Sequence, residues 1–164
     1  MTAGQVADNI RLLGHPCKNI VFTGGEPLLQ QKEIKQIIKE LGFSYHYEVE
    51  TNGTIIPSLF LAIRIDSWVI SPKLGYTKEA VLKWFAEKRK VIFKIVVGHI
   101  DDTIMLELLD THKVKPNKIY IMPKGTSDRI LKKHSKWIVE LCKRSGYNFS
   151  PRLQIWLWGK KRGV

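Results

Sequence analysis

NIVFTGGEPLLQ, residues 19–30, decides how the rest of this chain is read. Residues 20–22 form a short apolar, β-branched run, which predicts a buried strand. The run stops at Gly24-Gly25, where the missing Cβ atoms let backbone approach a ligand closely. Glu26 then sets a carboxylate at the strand's end, and Pro27 turns the chain towards a helix. A carboxylate beside bare backbone at such a point is suited to hold an ammonium group.

Four further strand ends follow the same plan. Residues 45–49 end in Glu50-Thr51-Asn52-Gly53, and residues 67–70 in Ser71-Pro72-Lys73. Residues 91–97, which carry Lys94, end at Gly98, and residues 118–121 end in Met122-Pro123-Lys124-Gly125. Amphipathic segments lie between them. Residues 33–41 place Ile34, Ile37, Ile38 and Leu41 on one face, with Gly42 as the stop. Helices are predicted near 3–14, 29–41, 77–89, 102–112 and 127–145, and a last strand near 149–157. Sequential βα units with short loops favour a parallel sheet with right-handed crossovers. In such folds the ligand edge is the carboxyl end of the strands, where the glycine-rich and polar residues recur.

The chain has 164 residues, 44% of them hydrophobic, enough for a sizeable core. It has no apolar run of membrane-spanning length. Residues 1–13 read as an amphipathic helix with Val6, Ile10 and Leu13 on one face, not as a secretory signal. Two isolated cysteines, Cys17 and Cys142, argue against a disulfide framework and fit a reducing cytoplasmic setting. No repeat or low-complexity linker divides the chain, so one domain over residues 1–164 is expected. The net charge of +12 admits RNA as a partner. The lysines, however, are spread over every predicted helix, as in Lys32, Lys35, Lys39, Lys78, Lys83, Lys88, Lys132, Lys133 and Lys136. Such scatter favours solvated helix faces over a nucleic-acid site. His15, His46, His99, His112 and His134 share no metal-ligand spacing and read as surface or satisfied side chains.

TGGEPLLQ, ETNGT, SPK, KIVV, IMPKG and the terminal SPRLQIWLWGKKRG, in that order, resemble the 7-carboxy-7-deazaguanine synthase family. These are radical S-adenosylmethionine enzymes of queuosine and archaeosine biosynthesis. Gly-Gly-Glu-Pro turns occur throughout that superfamily, whereas SPRLQIWLWG is the more family-specific piece. The resemblance implies an α/β fold, an incomplete, splayed parallel βα barrel of the radical S-adenosylmethionine type. It also implies a [4Fe-4S] cluster held by three closely spaced cysteines, and Mg²⁺ with a ligand in the same loop. That cysteine segment does not match anything in this sequence, since Cys17 and Cys142 do not form a cluster motif. The chain therefore reads as the family's body without its amino-terminal portion and first strand, by a shifted gene start or a true loss. An exposed sheet edge is expected where that strand would pair.

In the chemistry this resemblance implies, the cluster reduces S-adenosylmethionine. The resulting 5′-deoxyadenosyl radical abstracts hydrogen from 6-carboxy-5,6,7,8-tetrahydropterin. Ring contraction and loss of the amino group then give 7-carboxy-7-deazaguanine, with the protein binding, orienting and shielding. By resemblance, Gly24, Gly25 and Glu26 meet the methionyl ammonium and Glu50 accepts from ribose hydroxyls. Ser71, Pro72 and Lys73 hold the carboxylate, or form a Pro-led loop with a solvated lysine, and Met122, Pro123, Lys124 and Gly125 pass the adenine. Thr23 lies beside the pterin, or is an ordinary β residue. Asn52-Gly53 is a ligand contact or, more simply, a turn.

Lys124 stands where an acidic or neutral residue is expected, so only its backbone role carries over. Gln154 stands where the family commonly has histidine. Lys94 either points inward, needing an anionic partner, or lies on an exposed alternate position. Trp156 and Trp158 are expected on one face of the last strand, with Leu153, Ile155 and Leu157 on the other, and one of the two faces packed into the core. Val164 is expected to reach the pterin, its alternative being a frayed basic tail. The family also raises a homodimer. Two other classes stay open: a non-catalytic S-adenosylmethionine or nucleoside-binding module, and a basic RNA-binding domain.

Overall fold

The computed structural model describes residues 1–13 and 16–161. Six strands form a single sheet: β1 (Asn19–Phe22), β2 (His46–Thr51), β3 (Ser67–Ile70), β4 (Val91–Val97), β5 (Ile119–Pro123) and β6 (Asn148–Phe149). They lie side by side in chain order and every neighbouring pair is parallel. β1 and β6 are not paired with each other, so the sheet is open, a partial parallel βα barrel. Helices α1 (Ala3–Leu13), α2 (Gln31–Leu41), α3 (Leu59–Arg64), α4 (Glu79–Ala86), α5 (Ile104–Thr111) and α6 (Asp128–Ser145) accompany it, and α7 (Leu153–Trp158) follows β6. Strands added one after another through right-handed crossovers place their helices on the same face.

The alternation of side chains along each strand shows which face that is. Tyr47, Val49, Trp68, Ile70, Phe93, Ile95, Val97, Ile119 and Ile121 are buried. They meet the buried helix positions Ile34, Ile37, Ile38 and Leu41 of α2, Leu82 and Phe85 of α4, Leu106 and Leu109 of α5 and Ile138 of α6 in one core. The intervening residues face the other way. Val21 is 47% and Val96 38% exposed, while Glu50 and Lys94 are partly buried. A sheet covered on one side and open on the other presents its second face to whatever occupies the barrel's interior.

Several expectations are corrected. Residues 20–22 are not a buried strand, because β1 is an edge strand with Val21 exposed and Ile20 and Phe22 only half-buried. The strand predicted near 149–157 is two residues of β6 followed by helix α7. Trp156 and Trp158 therefore do not share a strand face, and α7 buries none of its residues. Pro151 ends the strand by removing a ladder donor. The helix predicted from residue 29 opens as a tighter 3₁₀ turn, Pro27–Gln30, before α2. The segment near 102–112 likewise divides into a 3₁₀ turn, Ile100–Thr103, and α5. Helix α3 was not predicted, since six residues are too few to display a helical period. The lysines within helices lie on exposed faces, whereas Lys78 caps the start of α4 and Lys88, half-buried, lies beyond its end. Val164 and His15 lie outside the described residues.

Candidate functional site

The strand ends gather on one edge of the sheet. Gly24 and Gly25 have φ of 87° and 51°, and a Cβ added to either would meet nothing within 4 Å. Their glycine character is thus set by backbone conformation and by open space above them, not by crowding. Glu26 follows, half-buried. Its Oε1 accepts from the Leu28 N–H at 2.9 Å and from the Thr51 hydroxyl at 2.7 Å. Its Oε2 accepts from the Asn52 N–H at 2.8 Å. The carboxylate therefore caps the turn after β1 and bolts it to the end of β2. Its remaining lone pairs are what an ammonium ligand would meet.

Glu50 forms the centre of a second group. Lys94 Nζ donates to Glu50 Oε1 at 2.6 Å, and the Thr23 hydroxyl donates to Glu50 Oε2 at 3.2 Å. Lys94 thus points to the open face and has the anionic partner that such a position demands. Thr23, exposed just after β1, takes part in a network spanning β1, β2 and β4. Asn52 behaves as a turn residue: its Oδ1 accepts from the Thr54 N–H at 2.9 Å and the Thr54 hydroxyl at 2.6 Å.

Ser71, Pro72, Lys73, Lys94, Val96 and Lys124 line a cleft of about 270 Å³ at the same edge. Sequence-distant loops after β3, β4 and β5 thereby converge. Pro123 ends β5, and the Lys124 N–H donates to the Val97 carbonyl at 2.8 Å, fixing the backbone of this segment beside β4. At Gly125 an added Cβ would lie 2.9 Å from Ile130 Cγ2 and 2.9 Å from Leu131 Cδ2, so a larger residue would have to displace these α6 side chains. The Arg152 guanidinium donates to the Gly125 carbonyl at 2.9 Å and ties the residues before α7 to this loop. Lys124 itself is exposed, and its aliphatic stem crosses Gly98.

Three participants escaped the sequence reading. Thr51 and Arg152 act through contacts between distant elements, for which no local pattern exists. Asp102 was legible, since His99 and Asp102 stand at the spacing of a reciprocal helix cap. Asp102 Oδ2 accepts from the N–H groups of Gly98 at 2.7 Å and His99 at 3.0 Å, closing the turn after β4 at the cleft's wall. These two backbone donors, Gly98 first, hold its carboxyl below the ordinary 3.8. A carboxyl with a depressed folded value stabilises the fold above its unfolded value and loses that contribution as pH falls through the folded one. Asp102→Asn is therefore expected to lower the urea midpoint relative to the parent at neutral pH. The gap should close only below about pH 4, the unfolded range. A gap independent of pH down to about pH 2 would contradict this assignment.

His112 departs from expectation. Its side chain is 8% exposed, its Nε2 has no hydrogen-bond partner, and the Glu79 carboxylate stands 3.8 Å away. The cysteines do not fit an iron–sulfur cluster. Cys142 is buried on α6, which packs against β5 and β6, and burial pushes its thiol's pKa up. Cys17 is exposed just before β1, at the opposite edge of the sheet. Among the described residues no group of three or more His, Cys, Asp or Glu side chains is placed to hold a metal. Nor is any helix among them long and apolar enough to cross a membrane.

No family model matches the chain. Curated proteins do. A 7-carboxy-7-deazaguanine synthase of Pyrobaculum aerophilum is 30% identical over 161 residues, covering 94% of this chain and 69% of that protein. The Rhodopirellula baltica protein of the same name is 29% identical, over 90% of this chain and 64% of its own length. That of Halobacterium salinarum is 28% identical, over 85% and 65% respectively. This chain thus spans about two thirds of the length of the relatives it matches. With the glycine pair, Glu26, Glu50 and the later loops on one edge of an open parallel sheet, and with relatives of a single name across most of its length, this chain belongs to the 7-carboxy-7-deazaguanine synthase family.

Proposed function

We propose that this chain is the ligand-binding body of a 7-carboxy-7-deazaguanine synthase, a carbon–nitrogen lyase acting on 6-carboxy-5,6,7,8-tetrahydropterin. In this reading it works with a cysteine-bearing segment that supplies the cluster and the Mg²⁺ ligand. The observation that carries it is the convergence of five strand-end segments on one edge of the open sheet. When bound there beside a cluster, S-adenosylmethionine supplies hydrogen abstraction. This chain's own residues bind, orient and exclude water.

Backbone carbonyl oxygens at Gly24-Gly25 and the spare lone pairs of Glu26 suit the methionyl ammonium. Glu50, already held by Lys94 and Thr23, offers oxygen acceptors to a ribose diol. Lys73 and Ser71 bring a cation and a hydroxyl to the methionyl carboxylate. The backbone of Met122-Pro123-Lys124-Gly125 flanks the adenine. The pterin would lie over Thr23 on the open face. A cytoplasmic homodimer forming one domain per chain fits this activity.

The test joins the chain to the portion of the Pyrobaculum relative that lies outside the match. Reconstituted anaerobically, the fusion should convert the tetrahydropterin, with the product read by mass spectrometry. The chain alone should bind S-adenosylmethionine weakly and turn nothing over. A fusion that cleaves S-adenosylmethionine but never forms the deazaguanine would overturn the substrate assignment. The reading of the chain as a non-catalytic module, partnered by a separate cysteine-bearing protein, would gain if that portion restored turnover only when added as a second chain.

A further inference from the structure

At the opposite pole of the sheet, where the strands begin, five basic side chains meet that are far apart in sequence. Arg89 and Lys90 come from the turn between α4 and β4. Lys113, Lys115 and Lys118 come from the connection between α5 and β5. Together they line a cleft of about 840 Å³, a volume suited to a small-molecule ligand. These lysines are not the helix-face lysines whose scatter suggested plain solvation. They are loop lysines, collected by the topology at one end of the sheet.

Glu48, Asp66 and Glu87 line the same cleft, fewer carboxylates than cations. Asp66 accepts from the Tyr47 N–H at 3.0 Å and lies 3.7 Å from Lys90. Glu48 accepts from the Ser67 hydroxyl at 2.7 Å. Among the described residues no ion pair joins Arg89, Lys113 or Lys115 to an acid. Lys118 donates to the Lys88 carbonyl at 2.6 Å, which ties the two basic loops together. Burial and, second to it, the neighbouring Lys115 ammonium both push the Lys118 pKa down. Lys113 holds φ at 55°, the one positive value on a non-glycine residue among those described. Cations in excess of the carboxylates around them raise the free energy of the empty site, and an anion relieves it.

We propose that this pole binds a small polyphosphate anion, inorganic or carried by a nucleotide, through the Arg89 guanidinium and the Lys113, Lys115 and Lys118 ammonium groups. Guanidinium and ammonium donors arranged around a preformed cleft match phosphate oxygens in charge and geometry. The bond between Lys118 and Lys88 fixes both loops beforehand, which lowers the ordering cost of binding. The site stands apart from the strand-end cleft and does not depend on the activity proposed above.

Calorimetry of the intact chain with tripolyphosphate and with ADP, at about 0.1 M salt, tests it. Saturable one-site binding of tripolyphosphate is expected, and the double variant Arg89→Gln/Lys115→Gln should weaken it by about tenfold or more. The Lys32→Gln/Lys132→Gln variant removes two helix-face lysines and should leave affinity unchanged. Circular dichroism checks that both variants keep the parent fold. Equal binding of ADP would assign recognition to the phosphate chain, and markedly tighter ADP binding, lost in the Arg89/Lys115 variant, would assign it to a nucleotide. The proposal is overturned if tripolyphosphate does not bind, or if both double variants lose affinity equally. It is also overturned if a short RNA binds and tripolyphosphate fails to displace it.

Discussion

Glu26→Ala is expected to cost about 3–5 kcal/mol of folding stability, measured by urea unfolding. The carboxylate accepts three hydrogen bonds, from Leu28, Thr51 and Asn52. Thr51 is 3% exposed, and its hydroxyl also accepts from the Gly53 N–H at 3.1 Å. Removing the carboxylate strands the Leu28 and Asn52 N–H groups and frees the turn after β1 from the end of β2. Charge-assisted bonds to a partly buried carboxylate contribute more than neutral ones. Glu26→Gln keeps the shape and one good acceptor, so its cost should be roughly half. A loss under about 1 kcal/mol for the alanine variant would mean that Glu26 is not a structural clamp. Because the same residue is proposed to face the methionyl ammonium, its glutamine variant should lose ligand affinity out of proportion to its stability loss.

The second large effect concerns Glu50 and Lys94. Glu50→Ala is expected to weaken S-adenosylmethionine binding by about one to two powers of ten, a loss of about 1.4–2.8 kcal/mol. Lys94→Met should weaken it too, since the ammonium fixes the direction of the Glu50 carboxylate across the sheet. In a double-mutant cycle the two should couple in stability by about 2 kcal/mol. That is less than for a fully buried pair, because water reaches both side chains. Equal calorimetric affinity of parent and Glu50→Ala would remove Glu50 from the ribose site. Additive effects in the cycle would mean that the pair is not coupled.

The parallel order of the sheet was legible because each βα unit carries its own signals. β4 runs Val91–Val97, as its apolar run predicts, and α2 buries the four residues named from periodicity. The carboxyl terminus was not legible in that way. LQIWLW alternates no more clearly than it repeats every third or fourth residue, and so short an apolar stretch cannot separate strand from helix. Pro151 was the available signal, and it argued against a continuing strand. The half-exposure of β1 was not legible in residues 20–22 themselves, because local sequence records a strand's apolar character and not how many neighbours it has; the exposed sheet edge was expected from the resemblance alone. Gly24, Gly25, Glu26, Ser71, Lys73 and Gly125 were singled out as candidates from turn chemistry at strand ends. The bonds of Glu26 to Thr51 and of Lys94 to Glu50 span 25 and 44 residues. Only the folded register brings such partners together.

The central claim is that the carboxyl ends of the strands, and not the opposite pole, form the S-adenosylmethionine site. Amide chemical shifts of the ¹⁵N-labelled chain, followed through a titration with S-adenosylmethionine, test it most directly. Concentration-dependent shifts are expected at Gly24, Gly25, Asn52, Ser71 and Gly125, with Asn19, Lys90 and Asn117 at the strand starts unmoved. Shifts confined to the strand starts, or none at any concentration reached, would contradict it.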